Sequence, residues 1–203
     1  MTKEQTIKEK NFINKKYGIT DQTLDFKTVA GKRCRSTLQK CLQTEYRSHP
    51  PHTSIGNSRE IIKGVLSAPE TYAVVLKETG ETIGSVGIMT ARSEIRSAKM
   101  AGSECEIGYW ISEPYWGQGL IPEAVSELIR YAFEDLQMTT VWCGYFDGNE
   151  KSKRVQEKCG FTYSHTEYNK PVPLMNDVRT EHFTKLTLEE WRKRKDRYEN
   201  WQH

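Results

Sequence analysis

The sequence lacks the features that identify several large classes of protein. No apolar run in its 203 residues approaches the roughly 18 residues that a membrane-spanning helix needs, and the opening MTKEQTIKEKNF is too polar for a secretion signal. The five cysteines form no CxxC pair, which argues against a zinc site or a disulfide framework. We therefore expect a cytoplasmic protein with reduced thiols, no membrane partner and no metal ion.

Repeats, low-complexity tracts and linkers rich in Pro, Gly or Ser are also absent, so we expect a single domain over residues 1–203. The net charge of +3 is unevenly distributed, because residues 1–48 contain eleven Lys and Arg against five Asp and Glu. A basic segment of this kind could contact RNA or an acidic protein. However, the aromatic residues of this segment are not interleaved with its basic residues in the way that a base-stacking platform would need, which favours a solvated surface. No contact with DNA is expected.

The spacing of apolar residues predicts a mixture of strands and helices. Period-two patterns indicate strands at residues 71–77, 82–90, 105–112, 139–146 and 161–168. Helical spacing indicates a long helix over residues 119–136 and a shorter one over 149–159, closed by Gly160. Less regular patterns suggest polar helices over residues 1–16 and 33–47, with a short strand at Leu24, Phe26 and Val29 between them. An apolar stripe predicts a helix over residues 57–66, and the tail is expected to form a surface helix over residues 188–203 anchored by Trp191. The order predicts an α/β fold with a mixed sheet.

One turn in this pattern exposes much of its backbone. PYWGQGLIPEAV, residues 114–125, places Gly117 and Gly119 directly before the long helix and Pro122 in its first turn. The first N–H groups of a helix have no partner within it and carry partial positive charge, and glycine has no side chain to keep an anion away. The turn therefore predicts an anion site, with phosphate as the preferred ligand. It matches neither a P-loop nor a dinucleotide-binding fingerprint.

A second motif, GNEKSKRVQEKCGF at residues 148–161, follows about 30 residues later. Together with EIGYWISEPYWGQGLIPEAV it resembles the GNAT superfamily of acetyl-CoA-dependent N-acetyltransferases, in particular the branch that acetylates ribosomal-protein N termini. The likeness covers about residues 70–165 and, more loosely, PPHTSIGNSREII. It implies a mostly antiparallel central sheet, splayed at the cofactor site, with helices on both faces. The basic residues 1–48 do not reproduce the usual opening strand of the family.

The resemblance also implies how acetyl-CoA is held. The diphosphate would rest on backbone N–H groups of Gly117, Gln118, Gly119, Leu120 and Ile121. The pantetheine arm would lie along Trp110, Ile111 and Ser112, with Asn149 on its other side.

For the chemistry, the resemblance implies direct attack of an amine in a ternary complex. Glu106 is then the expected base, and Ser152 the expected donor to the departing thiolate. On the residues alone, Glu106 could pair with a lysine across the sheet, while Ser152 and Asn149 could simply belong to a helix start.

The acceptor is expected to be a primary amine, first of all a protein N-terminal α-amine such as that of a ribosomal protein. A small amine such as an aminoglycoside or a polyamine is the second expectation, and a non-catalytic CoA-binding or RNA-binding module is the third. His52, in the segment HPPH at residues 49–52, is expected to line the amine pocket, because the acceptor-binding loop of the family falls there. The two intervening prolines argue against a metal-binding pair. A monomer or a homodimer is expected.

Overall fold

A computed structural model describes residues 24–28, 70–90, 101–172 and 175–200, with side chains described from residue 70 to residue 195 within those ranges. In order along the chain, the described helices and strands are β1 (Leu24–Thr28), β2 (Thr71–Leu76), β3 (Thr82–Thr90), β4 (Glu104–Ile111), α1 (Leu120–Glu134), β5 (Thr140–Phe146), α2 (Glu150–Cys159), β6 (Thr162–Val172), β7 (Asp177–Thr187) and α3 (Leu188–Asn200). A short 3₁₀ turn, Glu113–Tyr115, precedes α1. The helices predicted over residues 1–16, 33–47 and 57–66 lie outside the described residues.

The chain divides into two compact units, and β3 and β4 contribute residues to both. Among the described residues, the first unit contains β1, β2, residues 82–86 and residues 109–120. Its strands follow the order β1-β2-β3-β4, with β1 antiparallel to β2. The turn between β2 and β3 contains Gly80 at a φ of 68°, a left-handed conformation that glycine adopts readily.

The second unit contains residues 87–90, 101–108, 121–172 and 175–200 of the described chain. Its strands follow the order β4-β5-β7-β6. β4 is parallel to β5, whereas β7 is antiparallel to both of its neighbours, so the sheet is mixed and mostly antiparallel, as predicted. The parallel pairing of β4 with β5 ends at Glu106 and Trp142, although β4 continues to Ile111. This agrees with the expected splay.

The helices of the second unit bury their apolar faces as their spacing predicts. In α1 the buried residues past Leu120 and Ile121 recur at helical intervals: Ala124, Val125, Leu128, Ile129, Ala132 and Phe133. The ring of Phe133 lies 5.4 Å from that of Trp191 in α3. The predicted anchoring of the last helix through Trp191 is therefore confirmed.

The sequence-based order missed one strand. β7 lies between β5 and β6 in the sheet, and no strand was predicted over its residues. Glu181 and Phe183 are buried on one face of β7, and Thr184 and Leu186 on the other. A strand buried on both faces has no alternation of polar and apolar residues, so the period-two signal is lost.

Candidate functional site

The turn that precedes α1 is held by contacts within the first unit. The Tyr115 N–H donates to the Ser112 carbonyl, and the Trp116 N–H donates to the Glu113 carbonyl, each over 3.0 Å. The Trp116 indole Nε1 donates to the Ile111 carbonyl, also at 3.0 Å. Trp116 therefore fixes the turn to the end of β4, and its side chain does not bond to the backbone amides of the residues that follow it.

Two glycines give this turn its shape. Gly117 and Gly119 have φ values of 77° and 81°, which side-chain-bearing residues rarely adopt. A Cβ atom built on either glycine would meet nothing within 4 Å, so the space in front of the turn is open. Within the described part of the chain, the N–H groups of residues 117–121 donate no backbone hydrogen bond. Several amides before α1 are therefore available to a ligand.

Ser112, at the start of the turn, carries a buried hydroxyl without a partner. The residue is only 2% exposed, and its Oγ has no hydrogen-bond partner among the described residues. It occupies the N-cap position of the 3₁₀ turn, yet its side chain makes no capping bond. Leaving a buried hydroxyl unpaired costs about 1–3 kcal/mol, so this atom is a strong candidate for a ligand contact.

The backbone of β4 points its hydrogen-bonding groups alternately to the two sides of the strand. The Ser112 N–H donates to the Ile83 carbonyl on β3 over 2.9 Å. The Ile107 carbonyl accepts from the Cys143 thiol on β5 at 3.2 Å, so odd-numbered residues point away from β3. By this alternation the backbone of Ile111 points away from β3, whereas that of Trp110 points toward it. The Ile111 N–H is therefore the better candidate for a backbone contact with a ligand, because the Ile111 carbonyl already accepts from Trp116.

Glu106 is a buried acid on β4, with 4% of its surface exposed. Its neighbour on the same face, Glu104, accepts hydrogen bonds from the Trp142 indole at 3.1 Å and from the Ala101 N–H at 2.9 Å. Burial, together with the charges of Glu106 and Glu104, raises the pKa of the intervening Cys105 thiol to about 12. Cys105 is therefore protonated near neutral pH and is unsuited to act as a nucleophile.

The start of α2 brings Asn149 and Ser152 together. The Asn149 side-chain oxygen accepts from the Ser152 N–H at 3.1 Å, so Asn149 is the N-cap of this helix. The half-buried Ser152 hydroxyl lies 3.3 Å from the side-chain nitrogen of Gln156, one turn later. Gly160 ends the helix in a left-handed conformation, as predicted.

The predicted residues are distributed over both units. The first unit contains Trp110, Ile111 and Ser112 together with residues 117–120, and the second contains Glu106, Ile121, Asn149 and Ser152. His52 lies outside the described residues. The sequence analysis missed Gln156, and it placed the pantetheine arm along Ser112 without considering the hydroxyl of that residue.

Among the described residues, no group of three or more His, Cys, Asp or Glu side chains could hold a metal ion. No helix in the same residues is long and apolar enough to cross a membrane.

Comparison with known proteins gives a family match over residues 25–162, to the family described as acetyltransferase (GNAT) domain. A Bacillus subtilis protein provisionally named ribosomal N-acetyltransferase YdaF is 37% identical over 75 residues, covering 37% of this chain and 41% of that protein. The FsC-acetyl coenzyme A-N(2)-transacetylase of Aspergillus fumigatus is 35% identical over 89 residues, covering 42% of this chain and 37% of that protein. The chain thus matches less than half the length of either relative.

Solved structures share the fold at low sequence identity. A GNAT-family acetyltransferase from Bacillus anthracis superposes with a TM-score of 0.69 at 19% identity, covering 83% of this chain and 96% of that one. The structure of AAC(6')-Ib in complex with ribostamycin and coenzyme A superposes with a TM-score of 0.68 at 15% identity, covering 84% and 96%.

Proposed function

The chain belongs to the GNAT acetyltransferase family, and from this premise we propose that it transfers the acetyl group of acetyl-CoA to the α-amine of a protein N terminus. A ribosomal protein is the first candidate acceptor, because the name of the Bacillus subtilis relative points to the ribosome. A small amine such as an aminoglycoside or a polyamine is the second candidate, because the names of the relatives do not all point to the ribosome: that of the Aspergillus fumigatus protein states N(2) transacetylation of FsC.

The observation that carries this proposal is the open turn before α1. Coenzyme A carries a diphosphate, and several backbone amides at a helix start favour such an anion through hydrogen bonds and the helix dipole. Gly117 and Gly119 place no side chain in front of those amides. The pantetheine arm carries two amides that need partners once they leave water, and the buried hydroxyl of Ser112 can supply one. The residues present therefore fit the donor.

Replacing Ser112 with alanine is expected to stabilise the free protein and to weaken acetyl-CoA binding. Removal of an unpaired buried hydroxyl should raise the free energy of unfolding by about 1 kcal/mol. In a chain of this size, that corresponds to a rise in the unfolding temperature of about 2–4 °C. Loss of its bond to the donor should raise the Kd for acetyl-CoA about 5- to 10-fold. Thermal unfolding and isothermal titration measure the two effects.

Ser85 provides a matched control for this substitution. Its hydroxyl is also buried, but it donates to the Tyr72 carbonyl at 3.0 Å. We expect Ser85→Ala to lower the unfolding temperature and to leave the Kd for acetyl-CoA unchanged. If Ser112→Ala behaved in the same way, the Ser112 hydroxyl would have no role in binding.

The chemistry requires a neutral amine. An α-amine with a pKa of about 8 loses its proton at pH 7 for about 1.4 kcal/mol, whereas a lysine side chain requires about 4–5 kcal/mol. A modest base is sufficient for the α-amine, and we assign this role to Glu106, which acts directly or through water. The amine nitrogen then bonds to the acetyl carbon and the carbon–sulfur bond breaks, with Ser152 donating a hydrogen bond to the departing sulfur.

Mass spectrometry of acetylated products tests the acceptor. Peptides with free N termini and blocked lysines should be acetylated by the protein and acetyl-CoA, and intact ribosomes should gain acetyl groups at a protein N terminus. Acetylation of aminoglycosides or polyamines alone would favour the second acceptor. Acetyl-CoA binding without any acetylated product would contradict the proposed acetyltransferase activity and favour a non-catalytic CoA-binding module.

A further inference from the structure

A buried glutamine lies behind the proposed catalytic serine. Gln156 is 1% exposed and is the one buried residue among the ten of α2, all of which are described. Its side-chain nitrogen lies 3.0 Å from the Gly144 carbonyl oxygen and 3.3 Å from the Ser152 hydroxyl oxygen. Its side-chain oxygen lies 2.8 Å from the Thr184 hydroxyl. The side chain therefore links α2 to strands β5 and β7.

The chemistry of these neighbours fixes the orientation of the Gln156 amide. The Gly144 carbonyl can only accept a hydrogen bond, so the –NH₂ group must face it. The second proton of that group then points to Ser152, and the amide oxygen accepts from Thr184. In this arrangement the Ser152 oxygen is an acceptor toward Gln156. The proton of Ser152 is therefore directed to another group.

We propose that Gln156 is a positioning residue: by donating to the Ser152 oxygen, it orients the Ser152 hydroxyl as a donor toward the departing sulfur of coenzyme A. The inference rests on the proposed function, because it assigns a task to Ser152 in that reaction. When the amine nitrogen bonds to the acetyl carbon, the carbon–sulfur bond breaks and its electron pair stays on sulfur. Ser152 donates to that charge, while the proton lost by the amine passes to Glu106 or to solvent.

Packing alone gives no reason for a glutamine at this place. A buried side chain with two donors and an acceptor must satisfy all of them, whereas leucine or methionine would fill the same space without that requirement. The network is also extended by Thr184, which lies 3.1 Å from the Cys143 carbonyl as well. These bonds orient Gln156 before any ligand arrives, and Gln156 in turn orients Ser152.

Gln156→Met tests this inference in two backgrounds. Methionine is similar in volume, and Thr184 keeps the Cys143 carbonyl as an acceptor. In the wild-type background we expect kcat, followed by release of the coenzyme A thiol, to fall about 10- to 30-fold, with the KM for acetyl-CoA changed less than twofold. In the Ser152→Ala background, adding Gln156→Met should lower kcat by less than a further factor of two, because the hydroxyl that Gln156 orients is already absent.

Gln156→Glu supplies a second variant of the same shape. A carboxyl group has at most one proton, and the Gly144 carbonyl requires that donor, so the side chain cannot also donate to Ser152 and kcat should fall about as far as in Gln156→Met. Two results would overturn this inference and leave the proposed function standing. One is an equal loss of kcat on Gln156→Met in the wild-type and Ser152→Ala backgrounds, and the other is full kcat in both Gln156 variants. Wild-type protein that binds acetyl-CoA but releases no thiol with any acceptor amine would overturn the proposed function, and this inference with it.

Discussion

Glu106→Gln is expected to lower kcat at pH 7 by about 100- to 1,000-fold, within the range usual for a lost general base. Glutamine keeps the shape of this buried side chain but cannot take a proton from the attacking amine. The deficit should shrink by up to about tenfold as pH rises past about 8, because an α-amine with a pKa of about 8 is about one-tenth neutral at pH 7 and becomes fully neutral above its pKa. A pH–rate profile of both proteins measures this convergence. The KM for acetyl-CoA should change little.

Glu104→Gln is the control, since Glu104 lies two residues earlier on the same face of β4 and its carboxylate already accepts from Trp142 and Ala101. We expect this variant to lose some stability and to keep kcat within about threefold, because its charge-assisted bonds are structural. Wild-type kcat and an unchanged pH profile in Glu106→Gln would remove Glu106 from the mechanism.

Gly119→Asp is expected to raise the Kd for acetyl-CoA about 100-fold. Aspartate tolerates a left-handed backbone better than most residues, and a Cβ at this position meets nothing within 4 Å. Its charge would face the diphosphate. At about 6 Å and an effective dielectric constant of about 40, each charge pair contributes about 1.4 kcal/mol of repulsion, and two pairs account for the expected change.

Gly119→Asn separates charge from shape, because asparagine has nearly the same size and also tolerates this backbone conformation. We expect its Kd to rise less than about fivefold. The penalty in Gly119→Asp should also diminish at high salt, which screens exposed charges. Isothermal titration at two ionic strengths measures both effects. Equal Kd values for the Asp and Asn variants would mean that no phosphate lies near residue 119.

Local patterns were sufficient to predict most of the described fold. The β2–β3 hairpin, α1 and α2 with its closing Gly160 all follow from spacing within a few residues. The strand expected at Leu24 and Phe26 is also present as β1. β6 is longer than predicted and includes Pro171. Proline has no N–H to donate, and a strand at the edge of a sheet tolerates it at a position that needs no donor. β7 was missed because burial on both faces removes its alternation.

The backbone part of the candidate site was predictable from the sequence. Glycines at positions 117 and 119 are visible there, and glycine is the residue that most readily adopts the left-handed conformation found at both. The unpaired Ser112 hydroxyl and the orientation of Gln156 are different, because they depend on which groups the fold places around them. Gln156 contacts Gly144 and Thr184, which are 12 and 28 residues away in the chain. No spacing rule predicts such a network.

The central claim is that amides before α1 bind the diphosphate of acetyl-CoA. The most direct measurement is a titration of ¹⁵N-labelled protein with coenzyme A, followed through backbone amide resonances. We predict that the resonances of residues 117–121 shift downfield with a common saturation curve, while that of Gly80, in a glycine turn between β2 and β3, stays in place. Saturable binding that leaves residues 117–121 unshifted would contradict the account.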